Sequence, residues 1–221
     1  REAEKEADII VWDGGNNDFS FYLPDLEIVV VDPHRPGDEL AFYPGEVNFK
    51  RADVIVINKM DTAEDSNIRL IKQNIQACNA SAVVIEARSP VFAEQGQSIS
   101  GKRVMVVEDG PTLTHGGMKY GAGTLAAKKY GAKEIVDPRP WLNGSLVDTF
   151  NKYPEIGNLL PAMGYGIDQI KDLEQTINAS DCDLVVIGTP IDLTRVIDIQ
   201  KPSVRVTYEL EEVGTPNLEM V

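Results

Sequence analysis

The sequence predicts an α/β protein with a mostly parallel sheet or sheets and helices on both faces. Three observations predict it. Short, fully apolar runs such as Val54–Ile57 and Leu184–Ile187 have the length and β-branched content of strands buried on both faces. Each run ends abruptly in a polar loop rich in Gly, Pro, Asp and Asn. Between the runs lie stretches with apolar residues at helical spacing. The 221 residues, 43% hydrophobic and 25% charged, have ordinary globular usage and suffice for one large domain or two small ones. The polar, turn-rich stretch 91–101 reads as a boundary, giving a first domain over 1–100 and a second over 101–221.

Taken in order, the chain opens at Arg1 on a charged run, REAEKEAD, which reads as the tail of a helix; a piece of a longer polypeptide is expected. Ile9-Ile10-Val11-Trp12 is read as a buried strand ending at Asp13, followed by the glycine-rich loop Gly14-Gly15-Asn16-Asn17-Asp18. Glu27–Val31 is the next strand, ending in Asp32-Pro33-His34-Arg35-Pro36-Gly37, and a short helix is expected over 45–52. After Val54–Ile57 a helix begins near Thr62, a candidate N-cap, with Ile68, Leu70, Ile71 and Ile75 as its core stripe. Strands are expected over 82–85, 103–107, 134–136 and 184–187, and helices over 118–130 and 167–177. Residues 143–166 form a mixed Pro- and Gly-rich segment, and Val204, Val206 and Tyr208 alternate as in an edge strand.

The net charge of −14 argues against a nucleic-acid-binding face and against attraction to anionic membranes. No apolar run reaches the length of a membrane span and no signal peptide is visible, so the cytoplasm is the expected location. Cys78 and Cys182 stand far apart without a Cys-x-x-Cys pair. Together with His34 and His115 they have no local metal-ligand spacing, which leaves little support for a metal-binding module.

Chemistry concentrates at the carboxyl ends of the apolar runs, where open α/β sheets place their ligands. Asn58-Lys59-Met60-Asp61 is similar to the guanine-specificity motif of P-loop GTPases: Asp61 would accept from the ring N–H and amine of guanine, Asn58 would serve another edge, and the Lys59 stem would cover the ring. The residues are also ordinary turn formers. The following loop, Ala87 to Ser89, would close over the base. Asp13, at the end of its run, would hold Mg²⁺, and Gly14 or Gly15 would bring a backbone N–H to a γ-phosphate; a plain tight turn is the other reading. Arg35 and Arg139, each in an Asp-Pro-x-Arg or Asp-Pro-Arg loop, are candidate anion clamps. The densest stretch is Glu108-Asp109-Gly110-Pro111-Thr112-Leu113-Thr114-His115-Gly116-Gly117, ahead of a helix whose start, beside Gly121 and Gly123, would present N–H groups to a phosphate or carboxylate.

With these pieces assembled, the chain resembles the carboxyl-terminal half of the cyclic 2,3-diphosphoglycerate synthetase family. The matching runs are IIVWDGGNNDFSFY, VVVDPHRPGDEL, INKMDTA, VVEDGPTLTHGGMKYGAG, EIVDPRP, PAMGYG and VVIGTPIDLTR, collinear over nearly the whole chain. The resemblance implies a P-loop-NTPase-like first half, Mg²⁺ and ATP or GTP as cofactors, and a phosphorylated small molecule as second substrate. It implies ligase chemistry in which a nucleotide activates one phosphate and a neighbouring phosphate displaces it. By the same resemblance Asp13, Glu108, Asp109 and His115 would be catalytic, and Gly14, Gly15, Asn58, Lys59 and Asp61 would bind nucleotide. Arg35, Thr112, Thr114, Arg139 and Arg195 would bind the second substrate.

One departure is large. No GxxxxGK[ST] phosphate loop occurs, and Gly101-Lys102 is followed by Arg103. The loop is therefore expected from missing upstream chain or another chain, and this polypeptide by itself is expected to be inactive. A regulatory or metallochaperone GTPase is the alternative, favoured by the guanine-type motif; the 108–117 loop favours the synthetase. Oligomeric state is left open, although enzymes of this class often form homodimers.

Overall fold

The computed structural model describes residues 2–15, 18–114, 118–164 and 166–221, with only the backbone of Thr112. In chain order the elements of the first half are β1 (Ile28–Val31), α1 (Asp38–Ala41), α2 (Gly45–Arg51), β2 (Val54–Ile57), α3 (Asp65–Cys78) and β3 (Val83–Arg88). Then follow β4 (Val91–Ala93), β5 (Arg103–Asp109), α4 (Gly110–Thr114), α5 (Ala122–Lys129), β6 (Glu134–Ile135) and α6 (Ser145–Lys152). The last are β7 (Leu160–Ala162), α7 (Ile167–Ala179), β8 (Leu184–Ile187), β9 (Ser203–Tyr208) and β10 (Glu211–Glu212). The fold is α/β, with two mostly parallel sheets.

The chain divides into two compact units, residues 1–90 with 210–221, and residues 91–209. The division falls at 90 rather than 100, and the last residues return to the first unit because β10 pairs antiparallel with β3, Glu211 opposite Arg88. In the first unit the strand order is β1-β2-β3-β10, with β1, β2 and β3 parallel. One face of this sheet packs against α2 and α3: Val31, Ile55 and Ile57 meet Phe49, Ile71 and Ile75. Of the stripe expected on α3, Leu70 lies outside this core and is exposed. The helix begins at Asp65, not at Thr62, because the Thr62 hydroxyl is turned back onto the Lys59 carbonyl.

The run Ile9–Trp12 forms no strand. It is an exposed coil, and Asp13 therefore does not sit at a strand end. Its composition suits a strand, but no neighbouring strand in the first sheet pairs with it.

The second unit's sheet has the order β4-β9-β8-β5-β6, with β7 also pairing with β5. All pairs are parallel except β4 with β9. Its core gathers Val104–Val107, Val185–Ile187, Val204 and Val206 with Ala126, Leu173 and Ile177 from the helices. The stretch 91–101 is part of this core, not a linker: β4 lies in the sheet and Ile99 is fully buried. Consequently β9 is an interior strand, covered by β4 on one side and β8 on the other. The segment read as mixed contains α6 and β7. Among the described residues no helix is long and apolar enough to cross a membrane.

Candidate functional site

In the first unit three loops meet at the carboxyl ends of three adjacent parallel strands. Register pairs Val31 with Ile57 and Ile57 with Glu86, so the residues that follow are brought level. Asn58 donates its N–H to the Val31 carbonyl at 3.1 Å and Met60 donates to the Ala87 carbonyl at 3.1 Å. Asp61 Oδ1 accepts from the Ser89 N–H at 3.1 Å. The Asn58-Lys59-Met60-Asp61 loop and the Ala87–Ser89 loop are thus joined, and the Asp61 carboxylate is oriented by the backbone of its neighbour. His34 joins the first loop to the second through Nε2 and Thr62 Oγ1, 2.9 Å apart.

The charge at the centre of this group was not singled out as a site residue in the sequence. Asp32, immediately after β1, receives the Lys59 ammonium at 2.8 Å and lies 3.6 Å from the Arg35 guanidinium. Its other oxygen accepts from the His34 N–H at 3.0 Å. Burial works to raise the Asp32 pKa, but the Lys59 hydrogen bond and charge, the His34 N–H and the Arg35 charge outweigh it and hold the carboxyl below 3.8. Lys59 itself has φ +58°, one of two non-glycine residues with positive φ among those described. A backbone held there costs of order 1–3 kcal/mol and persists where surrounding contacts fix it. Here the Asn58 side chain, accepting from the Lys59 N–H at 2.8 Å, and the Asp32 pair provide those contacts. The position of Asp32 at a strand's carboxyl end, before a proline, is the one sequence signal that pointed to it.

Asp13, Gly14 and Gly15 lie in the exposed segment before β1, where Gly15 donates to Asp18 Oδ2 at 3.3 Å. Among the described residues no cluster of three or more His, Cys, Asp or Glu side chains could hold a metal. A single carboxylate such as Asp13 would need nucleotide phosphate oxygens and water to complete a Mg²⁺ shell.

In the second unit the chain runs from β5 to β6 and β7 on one side, then to β8 and β9 on the other. The carboxyl ends of β5 and β8 therefore flank a topological switch point, the usual place for a ligand crevice. Glu108, 1% exposed, fills it from inside. Its Oε1 accepts from Gly121 N at 3.1 Å, Thr124 N at 2.7 Å and Thr124 Oγ1 at 2.8 Å; Oε2 accepts from Gly123 N at 3.2 Å. The helix start expected to hold a ligand's phosphate or carboxylate is thus occupied by the chain's own carboxylate. This engagement makes Glu108 an anchor for α5. Burial pushes its pKa up, against the pull of these donors from Thr124, Gly123 and Gly121.

The glycines have the same cause. A Cβ on Gly121 would stand 2.5 Å from Glu108 Oε2, and one on Gly188 would meet Gly123 N at 2.4 Å. Thr189, buried beside Gly188 at the end of β8, completes the wall. Thr124 carried no signal readable in the sequence, since its partner Glu108 lies 16 residues away.

Of the other expected residues, Asp109 ends β5 and Thr114 donates to the Gly110 carbonyl at 3.0 Å. His115 and the Thr112 side chain lie outside what is described. Arg139, a candidate anion clamp, donates from its guanidinium to Asp137 Oδ1 at 2.9 Å and to the Ile156 carbonyl, and stacks over Phe150 at 5.0 Å. Arg195 pairs with Asp192 at 3.2 Å and is otherwise open to solvent. A groove of about 620 Å³ runs along Trp141, Asn143, Gln175 and Asn178, and its amides are bonded to one another and to backbone, as in Asn143 to Gln175 and Gln200 N to Asn178.

No family model matches the chain. It is 63% identical over 221 residues to a protein of Thermococcus kodakarensis named arginine synthetase ArcE. The match covers the whole of this chain and 49% of that protein, so the chain spans about half the length of the curated relative. The likeness is to a synthetase, an enzyme of ligase type.

Proposed function

We propose that this chain is part of a nucleotide-dependent ligase that forms arginine, and that its first unit receives the nucleotide base. The observation that carries the reading is the convergence of Asn58, Lys59 and Asp61 with Ala87–Ser89 at the ends of adjacent parallel strands. The Thermococcus relative supports the ligase part, and its name supplies the product. ATP or GTP with Mg²⁺ would drive the reaction, the phosphate loop coming from polypeptide beyond this chain.

The chemistry asks for activation. A guanidino carbon made from a ureido one must lose its oxygen, which leaves readily once it is phosphorylated. The γ-phosphoryl group passes to that oxygen and releases the nucleoside diphosphate; ammonia forms the new C–N bond at the carbon and gives up a proton to solvent, and phosphate departs with the oxygen and the electron pair of the broken C–O bond. Positioning and charge stabilisation are the protein's share of such a step. Lys59, held by Asp32, and Asp61, held by Ser89, fix the nucleotide end.

Closure of 2,3-diphosphoglycerate into a ring is the second reading, favoured by the collinear runs VVEDGPTLTHGGMKYGAG and VVIGTPIDLTR. Both reactions activate an oxygen by phosphoryl transfer and then displace it. They are separated by incubating the full-length polypeptide with ATP or GTP, Mg²⁺ and either a ureido amino acid with ammonia or diphosphoglycerate. Nucleotide cleavage that depends on the amino acid and yields arginine is the expected result. A ring product in the phosphorus NMR spectrum would replace the first reading with the second, and cleavage indifferent to both acceptors would remove them together. The Asp61→Asn variant tests the base: a guanine preference that Asp61 reads should fall at least about tenfold, roughly 1.4 kcal/mol.

A further inference from the structure

Exposed apolar surface is concentrated in one part of the first unit. Of the 25 large hydrophobic residues exposed among those described, 13 lie between Ile9 and Tyr43. Single exposed hydrophobics are normal, but clusters mark interaction surfaces. Two sets matter. Ile9, Ile10 and Val11 stand exposed, Val11 to 83%, in a run with strand composition. Ile28 and Val30 of β1 are also exposed, Val30 to 62%, although their register partners Val54 and Val56 are 0% and 2% exposed on the same face. Whatever covers that face stops short of β1.

The outer edge of β1 is open as well. β1 is the last strand of its sheet, and Ile28-Val29-Val30-Val31 carries none of the charges or prolines that protect edge strands. The run at Ile9–Trp12 is tied to the same unit. Trp12 packs on Phe21, ring centres 4.6 Å apart, Phe19 packs on Tyr43 at 5.7 Å, and Asn48 donates to the Asp18 carbonyl at 2.9 Å. A strand-forming run and an open strand edge thus occur in one unit without pairing with each other.

We propose that the edge of β1 and the run Ile9–Trp12 form the two sides of a slot for one apolar β-strand from polypeptide outside this chain. The strand would pair with β1 on one side and with Ile9–Trp12 on the other, a form of strand addition. The occupant is the portion of the longer relative that this chain does not span, about half of that protein. The inference rests on the proposed reading that the chain works within a longer polypeptide, and it is independent of the nucleotide or the acceptor.

Amide hydrogen exchange, measured without nucleotide on this chain and on the full-length Thermococcus relative, tests it. The segments aligned with Ile9–Trp12 and Ile28–Val31 should exchange about 100-fold more slowly in the full-length protein, while the segment aligned with Val54–Ile57 exchanges alike in both. Equal exchange at the two edge segments overturns the proposal, as does a slowing no greater there than at Val54–Ile57. Slow exchange at both edges in this chain alone, with a dimer mass by light scattering, also overturns it by making a second copy the occupant. None of these outcomes touches the nucleotide assay, so each reading can fail separately.

Discussion

Removing the Glu108 carboxylate should expose how the second unit holds its crevice. Glu108→Ala takes the acceptor from three backbone N–H groups and one hydroxyl, all beside a buried helix start. Breaking such a buried charged network from one side costs about 3–5 kcal/mol. Glu108→Gln should cost far less. With its oxygen at the Oε1 position it keeps three of the four donors and turns its NH₂ only toward Gly123, a loss of about 1–2 kcal/mol. Gly121 provides the cross-check. Its φ of −129° suits any residue, and the three nearest atoms a Cβ would meet all belong to Glu108. Gly121→Ala should therefore cost about 2 kcal/mol in the native background, as overpacking does. In the Glu108→Ala background that clash is gone, and coupling of about 1.5–2 kcal/mol should appear in the double-mutant cycle. Only Trp12 and Trp141 are present in the sequence, so urea unfolding followed by fluorescence in a Trp12→Phe background reports the second unit alone. An additive cycle, or a Gln variant as unstable as the Ala variant, would refute the anchoring role.

Three further outcomes follow from the same structure. Burial raises the Glu108 pKa above 4.5, so the native chain binds a proton that the unfolded chain has released, and stability falls as pH rises through that window; the unfolding free energy of the native protein minus that of Glu108→Gln should decline across it, and a rising difference would contradict the sign. Asp32 is depressed below 3.8, so its stabilisation is present above that value and is lost as pH falls through the native pKa; thermal unfolding of Asp32→Asn, followed by circular dichroism, should show a flatter acid limb. Buried Asn79 donates to the carbonyls of Phe49 at 3.0 Å and Ala52 at 2.8 Å, closing the end of α2; Asn79→Ala should lose about 2 kcal/mol in denaturant unfolding, and an unchanged midpoint would show the two carbonyls have other partners.

What could be read in advance follows from where each contact lies along the chain. β2 and β8 were legible because a run buried on both faces needs no knowledge of its neighbours. The Asn58–Asp61 loop was legible because its residues are adjacent. The anchoring of α5 was not, since Glu108 reaches 13 to 16 residues ahead, and three of its four donors are backbone N–H groups that no side chain announces. Its glycines could be seen, but their cause was invisible: a helix start with small residues invites a ligand equally whether or not the protein fills it. β7 was obscured by Pro161 and β4 by the turn residues after it. The run at Ile9–Trp12 misled for the opposite reason, since apolar composition states what a segment would pair with but not whether this chain contains the partner.

The return of residues 210–221 to the first unit fixes an order of events during synthesis. β10 reaches β3, and Val213 donates to the Glu86 carbonyl at 2.7 Å, only after residues 91–209 have been made. At about 5–20 residues per second the ribosome takes roughly ten seconds over that stretch. During this interval β3 waits with one edge bare, while the second unit has its whole sequence in hand before the first unit does. The unit that emerges later is thus the one that can finish folding earlier, and a chaperone acting on the nascent chain would find its target in the older half.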